Sequence, residues 1–316
     1  MTEQTVESVE QLLRDELERG DAMLATARPI LRHLLANDDH ALFNDEMIAR
    51  IRGMMTHVAS QLLFAQAGAA KVADRAGYVA GRQENLAQAL FEDTAFLAHA
   101  HALTLEAQLA ERLQARSGID SVLSPLVQEL AAAKEMDTAA LAMTVLAAEA
   151  RFMQHHRRME LPLGELPGDL FHKALLLLRS HAGDADAPAA EAERLLRESY
   201  DERTGRLGLL TRLVMAMGQR AARALAIDHA GLAIFSTALA MASGQDRAVT
   251  VLSFADRQFA RLALALRAAG LKQQAVEEQF LFLHPEIALP DGFDMLRADR
   301  AAALLAASRP APPTAF

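Results

Sequence analysis

Two histidines and two arginines stand side by side at His155, His156, Arg157 and Arg158. Imidazole and guanidinium groups clustered in this way can bind a phosphate or a carboxylate, and one histidine could accept a phosphoryl group. The same four residues occupy the last turn of a predicted helix, where cations satisfy terminal carbonyls and interact favourably with the helix dipole. We therefore expect capping and packing at this cluster, with ligand binding as the alternative.

The other histidines fit a metal site poorly. His99 and His101 are two residues apart in a helical segment, so their side chains face different directions. Asp169 and His172 have a spacing that could reach one ion, but the paired Glu-x-x-His motifs of di-metal helical bundles are absent. Asp169 also suits the first turn of a helix. We predict no metal site and no cofactor, and His172 joins the cluster as a candidate ligand-binding residue.

Phosphotransfer offers another role for a helical histidine, because it needs little beyond an exposed imidazole on a bundle. His172, which precedes Lys173, and His101 are the candidates, although neither stands in an acidic or glycine-containing context. The chain has no glycine-rich phosphate loop, no Gly-x-Ser-x-Gly elbow and no His-Glu-x-x-His motif. The sequence therefore identifies no catalytic residue.

Composition excludes several functional classes. The formal net charge of −9 argues against nucleic acid or an anionic membrane as the main partner. Because cysteine and tryptophan are absent, disulfides, thiolate metal sites and a cysteine nucleophile are excluded, and aromatic side chains for stacking bases are scarce. The acidic N-terminus lacks the apolar region of a signal peptide, and the longest uncharged apolar run, about 230–245, is too short to span a bilayer. We expect a cytoplasmic protein.

Apolar residues recur at helical spacing, and no segment alternates with the period of a strand. The pattern predicts an all-α protein of roughly a dozen short to medium helices in an antiparallel or stacked array, with no β-sheet. Helix starts are predicted at Asn44 or Asp45, at Asp93-Thr94, at Ser124-Pro125 and at Asp137. The amphipathic N-terminal helix, about 3–19, either docks on a partner or a second copy, or covers one end of the core.

Four leucines, 175–178, follow a stretch over 161–168 that is rich in proline and glycine. Consecutive leucines point to all sides of a helix, so we expect this helix to be central and buried nearly all round. The preceding stretch, which we call the elbow, is predicted to turn the helix that ends at the His/Arg cluster back onto the leucine helix. If the protein has a site, the elbow is the first place to look.

The polar segment 183–188, which contains glycine and proline, is the strongest linker signal. It predicts two helical units, 1–182 and 189–307, followed by a disordered tail over 308–316. Within the second unit, helices are predicted near 189–199, 205–225, 228–242, 253–269, 272–283 and 293–307.

Four stretches in the second half of the chain are rich in apolar residues at helical spacing. They are Gly205-Arg-Leu-Gly-Leu-Leu210, Ala230-Gly-Leu-Ala-Ile-Phe235, Phe259 to Leu271, and Phe280-Leu-Phe-Leu-His-Pro285. Together they resemble a large all-helical family of unknown function from alphaproteobacteria, whose members are similar to HEAT-like helical repeat arrays. The resemblance implies a fold, and it implies no activity, cofactor or catalytic residue.

These observations predict a non-enzymatic helical module of a bacterium that acts in protein–protein interaction or regulation. We expect a protein partner, no nucleic acid and no membrane span, with a homodimer as one option. Two alternatives stay open. One is a helical histidine phosphotransfer protein, and the other is an enzyme or a binding protein for a small anion that uses the His155–Arg158 cluster.

Overall fold

The computed structural model describes residues 9–23, 45–183, 186–255 and 258–308, and within these ranges the chain is helical with no β-strand. The α-helices are α1 (9–23), α2 (Asp45–Ala69), α3 (Arg75–Ala80), α4 (Gln83–Glu92), α5 (Thr94–Ser117), α6 (Pro125–Ala131), α7 (Met136–Arg157), α8 (Gly168–Ala182), α9 (Ala187–Ser199), α10 (Arg206–Met217), α11 (Ile227–Ser243), α12 (Arg247–Leu252), α13 (Phe259–Ala268), α14 (Gln273–Leu283) and α15 (Ala298–Ala307). Short 3-10 segments cover Leu163–Glu165, Glu202–Thr204, Gly218–Leu225 and Phe293–Met295. The all-α prediction is confirmed. In the described ranges we find no helix with the length and apolar composition needed to cross a bilayer.

Local capping signals predicted the helix starts of the first half well. The Asp93 carboxylate accepts a hydrogen bond from the amide of Ala95 at 2.9 Å, and α4 and α5 are separate helices as predicted. The Ser124 hydroxyl accepts from the amide of Val127 and precedes Pro125, the first residue of α6. These side chains satisfy amides that have no partner within the helix.

The second half departs from the predicted boundaries at several places, and the α-helices predicted over 253–269 and 293–307 begin only at Phe259 and Ala298. The helix predicted over 205–225 ends at Met217, where Gly218 takes a φ of +53° and a 3-10 segment follows. A short helix that was not predicted, α12, begins after Asp246, whose carboxylate accepts from two amides of the first turn. The first residues of the N-terminal helix and almost all of the predicted tail lie outside the described residues.

By its contacts the chain divides into two units whose segments interleave along the sequence. Unit 1 comprises Met1–Ala27, Leu105–Leu146 and Leu210–Phe316, and unit 2 comprises Arg28–Thr104 and Ala147–Leu209. This partition differs from the expected one into 1–182 and 189–307, because α9, which follows the 183–188 segment, packs against α2 and α8 in unit 2. Three of the boundaries fall inside α5, α7 and α10, where a continuous helix gives no linker signal.

In unit 1 the central helix is α11. Every residue from Ala230 to Ala240 is buried, and the helix packs against α6, α12 and α13. The longest apolar run of the sequence therefore forms the core helix of this unit. It bends at Gly231, which has a φ of +72°, and a Cβ there would lie 3.0 Å from Cβ of Ser124. Both the backbone conformation and the close approach require glycine.

Helix α1 covers part of the core of unit 1. Its Val9, Leu13 and Leu17 are almost fully buried. The Glu10 carboxylate accepts two hydrogen bonds from the Arg300 guanidinium of α15, at 3.1 and 2.7 Å. Of the two roles considered for the N-terminal helix, covering the core is the one its apolar face performs in this structure.

In unit 2 the central helix is α2, which packs against α3, α4, α8 and α9. The leucine run lies on α8, where Leu175 and Leu178 are fully buried but Leu176 is 51% exposed. The prediction that the leucine helix is central and buried nearly all round is therefore wrong. Helix α8 has its neighbours on one side only, so one of four consecutive leucines faces solvent.

Candidate functional site

One face of α2 binds the backbone of the elbow. The amide of Leu161 donates to Nδ1 of His57 at 3.1 Å, and Nε2 of Gln61 donates to the carbonyl of Leu161 at 2.9 Å. The amide of Leu163 donates to Oε1 of Gln61, also at 2.9 Å. At the start of the elbow the backbone is not helical, so its amides and carbonyls have no hydrogen-bond partners within a helix. The side chains of His57 and Gln61 supply these hydrogen bonds to the buried backbone.

The end of α7 approaches the same helix closely. Met159, just past the end of α7, has a left-handed φ of +57°, and the amide of Glu160 donates to the carbonyl of His155 at 2.9 Å. A Cβ on Gly53 of α2 would lie 2.5 Å from Cβ of Met159. Glycine at position 53 therefore allows the terminal turn of α7 to lie directly against α2.

His156 anchors the end of α7 to α2. Its side chain is buried, and Nη1 of Arg50 donates to its carbonyl at 2.7 Å and lies 3.2 Å from its Nδ1. Because a guanidinium can only donate, Nδ1 of His156 is the acceptor and Nε2 carries the proton. The imidazole also packs against the ring of Phe152, with 6.2 Å between centroids. His156 is thus a packing residue of unit 2.

His155 lies on the exposed side and pairs with Glu160. Its Nδ1 is 2.8 Å from Oε2 of Glu160, and 30% of its side chain is exposed. The hydrogen bond from His155 lowers the pKa of Glu160 below its usual value. Burial opposes this shift, and the neighbouring His57, His155 and Arg158 add to it. Glu160 is therefore a carboxylate at neutral pH, and it accepts the proton that Nδ1 of His155 donates.

Arg157 and Arg158 complete the predicted cluster without converging on a common pocket. Both side chains are exposed. A small cleft of about 30 Å³ lies beside the cluster, and its polar lining consists of His155, His156, Glu160, Glu165 and Arg206. The volume has room for two or three water molecules at about 10–15 Å³ each, and a metabolite does not fit. Of the four cluster residues, His155 and His156 line this cleft, and Arg157 and Arg158 do not.

Arg206, which lines the cleft, belongs to a buried ion pair that the sequence did not reveal. Nε and Nη2 of Arg206 donate to the two carboxylate oxygens of Glu149 at 2.7 and 3.0 Å, and the two side chains are only 3% and 5% exposed. The guanidinium carbon lies 3.7 Å from the centroid of the Phe152 ring. The backbone amide of Arg206 donates to Oε2 of Glu165 at 2.7 Å. The one available sequence signal was a cation at a helix start, where the dipole disfavours it.

No protein-family model matches this chain. Comparisons with curated proteins and with solved structures gave no match either. The resemblance of the second half to an alphaproteobacterial helical family therefore stays a prediction, and what the site can do rests on its own geometry.

His172 stands apart from the cleft. It is exposed on α8, and its Nδ1 accepts from Nη2 of Arg197 at 2.8 Å. Asp169 is also exposed, while His99 is buried in α5 and His101 is half-buried. Across the described ranges, no three histidine or carboxylate side chains are grouped as a metal ion would require.

A larger groove, of about 320 Å³, lies in unit 1 between the end of α5 and the end of α14. Its lining is apolar apart from two arginines: Leu109, Leu113, Ala115, Phe282, Leu283, Arg112 and Arg116. Nη2 of Arg116 donates to the carbonyls of Leu281 and Phe282 at 3.1 and 3.4 Å, and thereby caps the end of α14. Leu281, next to the groove in sequence, is 64% exposed. We call this the α5–α14 groove, and no pattern in the sequence predicted it.

Proposed function

We propose that the protein is a non-enzymatic helical interaction module that holds a segment of a partner protein in the α5–α14 groove. The volume of about 320 Å³ supports this proposal, because it lies in the range of sites that enclose a ligand group. The site also combines an apolar floor with charged residues at its edge, as protein recognition sites do. The cytoplasmic location and the bacterial source expected from the sequence belong to the same proposal.

The lining specifies the chemistry of the partner. Leu109 and Leu113 are only 4% exposed, so the accessible apolar surface comes from the half-buried Phe282 and Leu283, which suit a bulky aliphatic or aromatic side chain. Arg112 and Arg116 offer two guanidinium groups, and in the described part of the chain neither forms an ion pair with a carboxylate. On a chain with a net charge of −9, two such arginines favour an acidic ligand. The partner segment should therefore carry Asp or Glu residues beside one large apolar anchor.

Binding of short labelled peptides tests this proposal directly. The probes are fluorescein-labelled peptides with a central Leu or Phe flanked by Asp and Glu, and a matched series flanked by Lys and Arg. We expect fluorescence anisotropy to show binding of the acidic series only. Arg112→Glu should weaken that binding roughly fivefold or more, about 1 kcal/mol for an exposed charge pair.

The control variant is Arg220→Glu, which makes the same change of charge at an exposed arginine outside the groove lining. It should leave the affinity nearly unchanged if the groove is the binding site. Equal weakening by both variants would show that only net charge matters, and equal binding of the basic series would overturn the assigned partner chemistry. Failure of every acidic peptide to bind would remove the groove as the interaction site.

A further inference from the structure

The hydrogen bonds of His155, His156 and His172 fix different tautomers. Nδ1 of His172 and Nδ1 of His156 each accept from an arginine, so in the neutral ring Nε2 carries the proton and has no lone pair to offer. His155 is the opposite case, because its Nδ1 faces the Glu160 carboxylate, which can only accept. The neutral His155 ring therefore carries its proton on Nδ1 and a lone pair on Nε2.

The Nε2 side of His155 is open to reaction. The side chain keeps 30% of its surface exposed. Within the described ranges no hydrogen bond reaches Nε2, and this atom is not enclosed by the protein. A nucleophilic imidazole oriented by a carboxylate through its other nitrogen is the arrangement that activates histidine for chemistry.

The surroundings of His155 also suit a phosphoryl group. Arg158, three residues after His155, is exposed, and its charge acts on the neighbouring Glu160. Guanidinium groups bind phosphoryl oxygens in bidentate fashion. Arg206, in contrast, is held by Glu149 and contributes to the wall of the cleft. The cation available for a transferred group is thus Arg158, which does not line the cleft.

We propose that His155 is a phosphoryl acceptor, that Glu160 positions its imidazole, and that the donor is an acyl phosphate. Nε2 of His155 attacks the phosphorus, the P–O bond to the acyl group breaks, and the carboxylate leaves with the electron pair. The proton stays on Nδ1, where the Glu160 carboxylate stabilises the positive charge that the phosphorylated ring acquires. This site is independent of the α5–α14 groove and of the peptide that we assign to it.

Acetyl phosphate is the probe for this reaction. The purified protein is incubated with it, and intact-mass and peptide-mapping measurements locate any phosphoryl group, which on histidine is lost in acid and kept in alkali. We expect one modification, at His155. His155→Gln should abolish it, whereas His172→Gln should leave its rate unchanged, and circular dichroism should show that both variants are folded.

Glu160 is tested as a positioning residue by two substitutions. Glu160→Gln removes the charge and should slow the modification by about tenfold or more, the scale of a lost acid–base partner. Glu160→Asp retains the carboxylate and should restore part of the rate, which a merely structural role would not produce. Modification that persists in His155→Gln, modification at His172, or no modification of the wild-type protein would each overturn the proposal.

Discussion

Arg206 in unit 2 and Arg247 in unit 1 occupy the same local position, the first residue of a helix, and each binds a glutamate in the middle of another helix. Arg206 pairs with Glu149 of α7, and Arg247 pairs with Glu106 of α5. A cation at a helix start opposes the dipole, so in both places the fold relies on a buried carboxylate to hold it.

The surroundings of the two arginines differ. Arg247 also donates to the hydroxyls of Thr237 at 2.9 Å and Ser236 at 3.1 Å, so one guanidinium ties α5 and the central helix α11 together. The guanidinium carbon of Arg206 lies 3.7 Å from the centroid of the Phe152 ring, and Arg206 and Phe152 both line the small cleft. In unit 1 the ion pair joins two helices of the core. In unit 2 the ion pair borders the small cleft, which has room for two or three water molecules.

The two candidate sites also differ in chemistry. Unit 2 presents titratable groups, His155 and Glu160, beside a cleft too small for more than a few waters. Unit 1 presents a larger and mostly apolar groove with arginines at its edge. The first arrangement suits a reaction at one side chain, and the second suits recognition of a polypeptide.

Replacing each arginine by methionine should give the largest effects and test the comparison first. Arg206→Met leaves the Glu149 carboxylate buried without its guanidinium donors, which should lower the free energy of unfolding by about 3–5 kcal/mol. The Arg247 side chain is 16% exposed, against 3% for Arg206. The Glu106 carboxylate is itself only 2% exposed, but the gap left by the partly exposed arginine can admit water to it, so for Arg247→Met we expect a smaller loss of about 1.5–3 kcal/mol. Urea denaturation followed by circular dichroism measures both.

The matched control replaces a whole ion pair at once. Glu149→Leu combined with Arg206→Met removes both charges of the pair and should cost much less than Arg206→Met alone, since apolar residues of similar volume often substitute for a buried pair. If the double variant is as unstable as the single one, packing on Phe152 rather than charge dominates. If Arg247→Met lowers the free energy of unfolding more than Arg206→Met does, the burial of the arginine does not determine the difference between the two ion pairs.

Local signals in the sequence predicted much of the helix pattern. Helix capping at Asp93 and Ser124 depends on a side chain and on an amide two or three residues away. A single sequence is therefore enough to predict these helix starts. Gly218 and the first turn after Asp246 were missed because they interrupt patterns that remain apolar on either side. The interleaved units were missed for a similar reason, since their boundaries fall within continuous helices.

The candidate sites depend on contacts between residues far apart in the chain. The sequence indicated His155 because two imidazoles and two guanidiniums are adjacent there. Only the structure shows that His156 is buried and that His155 is partly exposed. The pair of Arg206 and Glu149 spans two helices, and no spacing rule connects its members. The α5–α14 groove likewise combines residues near 112 and near 282, which single-sequence patterns cannot bring together.

Gly53→Ala tests how closely the end of α7 lies against α2. Alanine normally stabilises a helix interior relative to glycine by about 0.5–1 kcal/mol. Here the new Cβ would lie 2.5 Å from Cβ of Met159, so we expect a loss of about 1–3 kcal/mol from overpacking. Gly68→Ala in the same helix meets only the far end of the Arg75 side chain, at 3.6 Å, and should be neutral or stabilising. Thermal or urea unfolding compares the two variants, and a stabilising Gly53→Ala would contradict the close approach.

The smallest expected effects concern the pH dependence of stability. One carboxylate in each unit, Glu10 and Glu160, allows this dependence to be compared. The Arg300 hydrogen bond lowers the pKa of Glu10 in unit 1, and the His155 hydrogen bond lowers the pKa of Glu160 in unit 2. A carboxylate whose pKa is lowered in the folded state stabilises the fold at pH values above its ordinary pKa of 4.5. This contribution is lost as the pH falls through the folded-state pKa.

Unfolding free energies measured from pH 7 to pH 3 for wild type, Glu10→Gln and Glu160→Gln check this expectation. Each variant should be less stable than wild type at pH 7 by up to about 1 kcal/mol, and the difference should shrink towards pH 3. The Glu160 side chain is 28% exposed and that of Glu10 is 11% exposed, so the effect of Glu160→Gln should be the smaller one. A difference that stays constant with pH would mean that glutamate and glutamine differ there in packing. In that case Glu160 would not hold His155 by charge, and the tautomer that leaves Nε2 free would lose its main support.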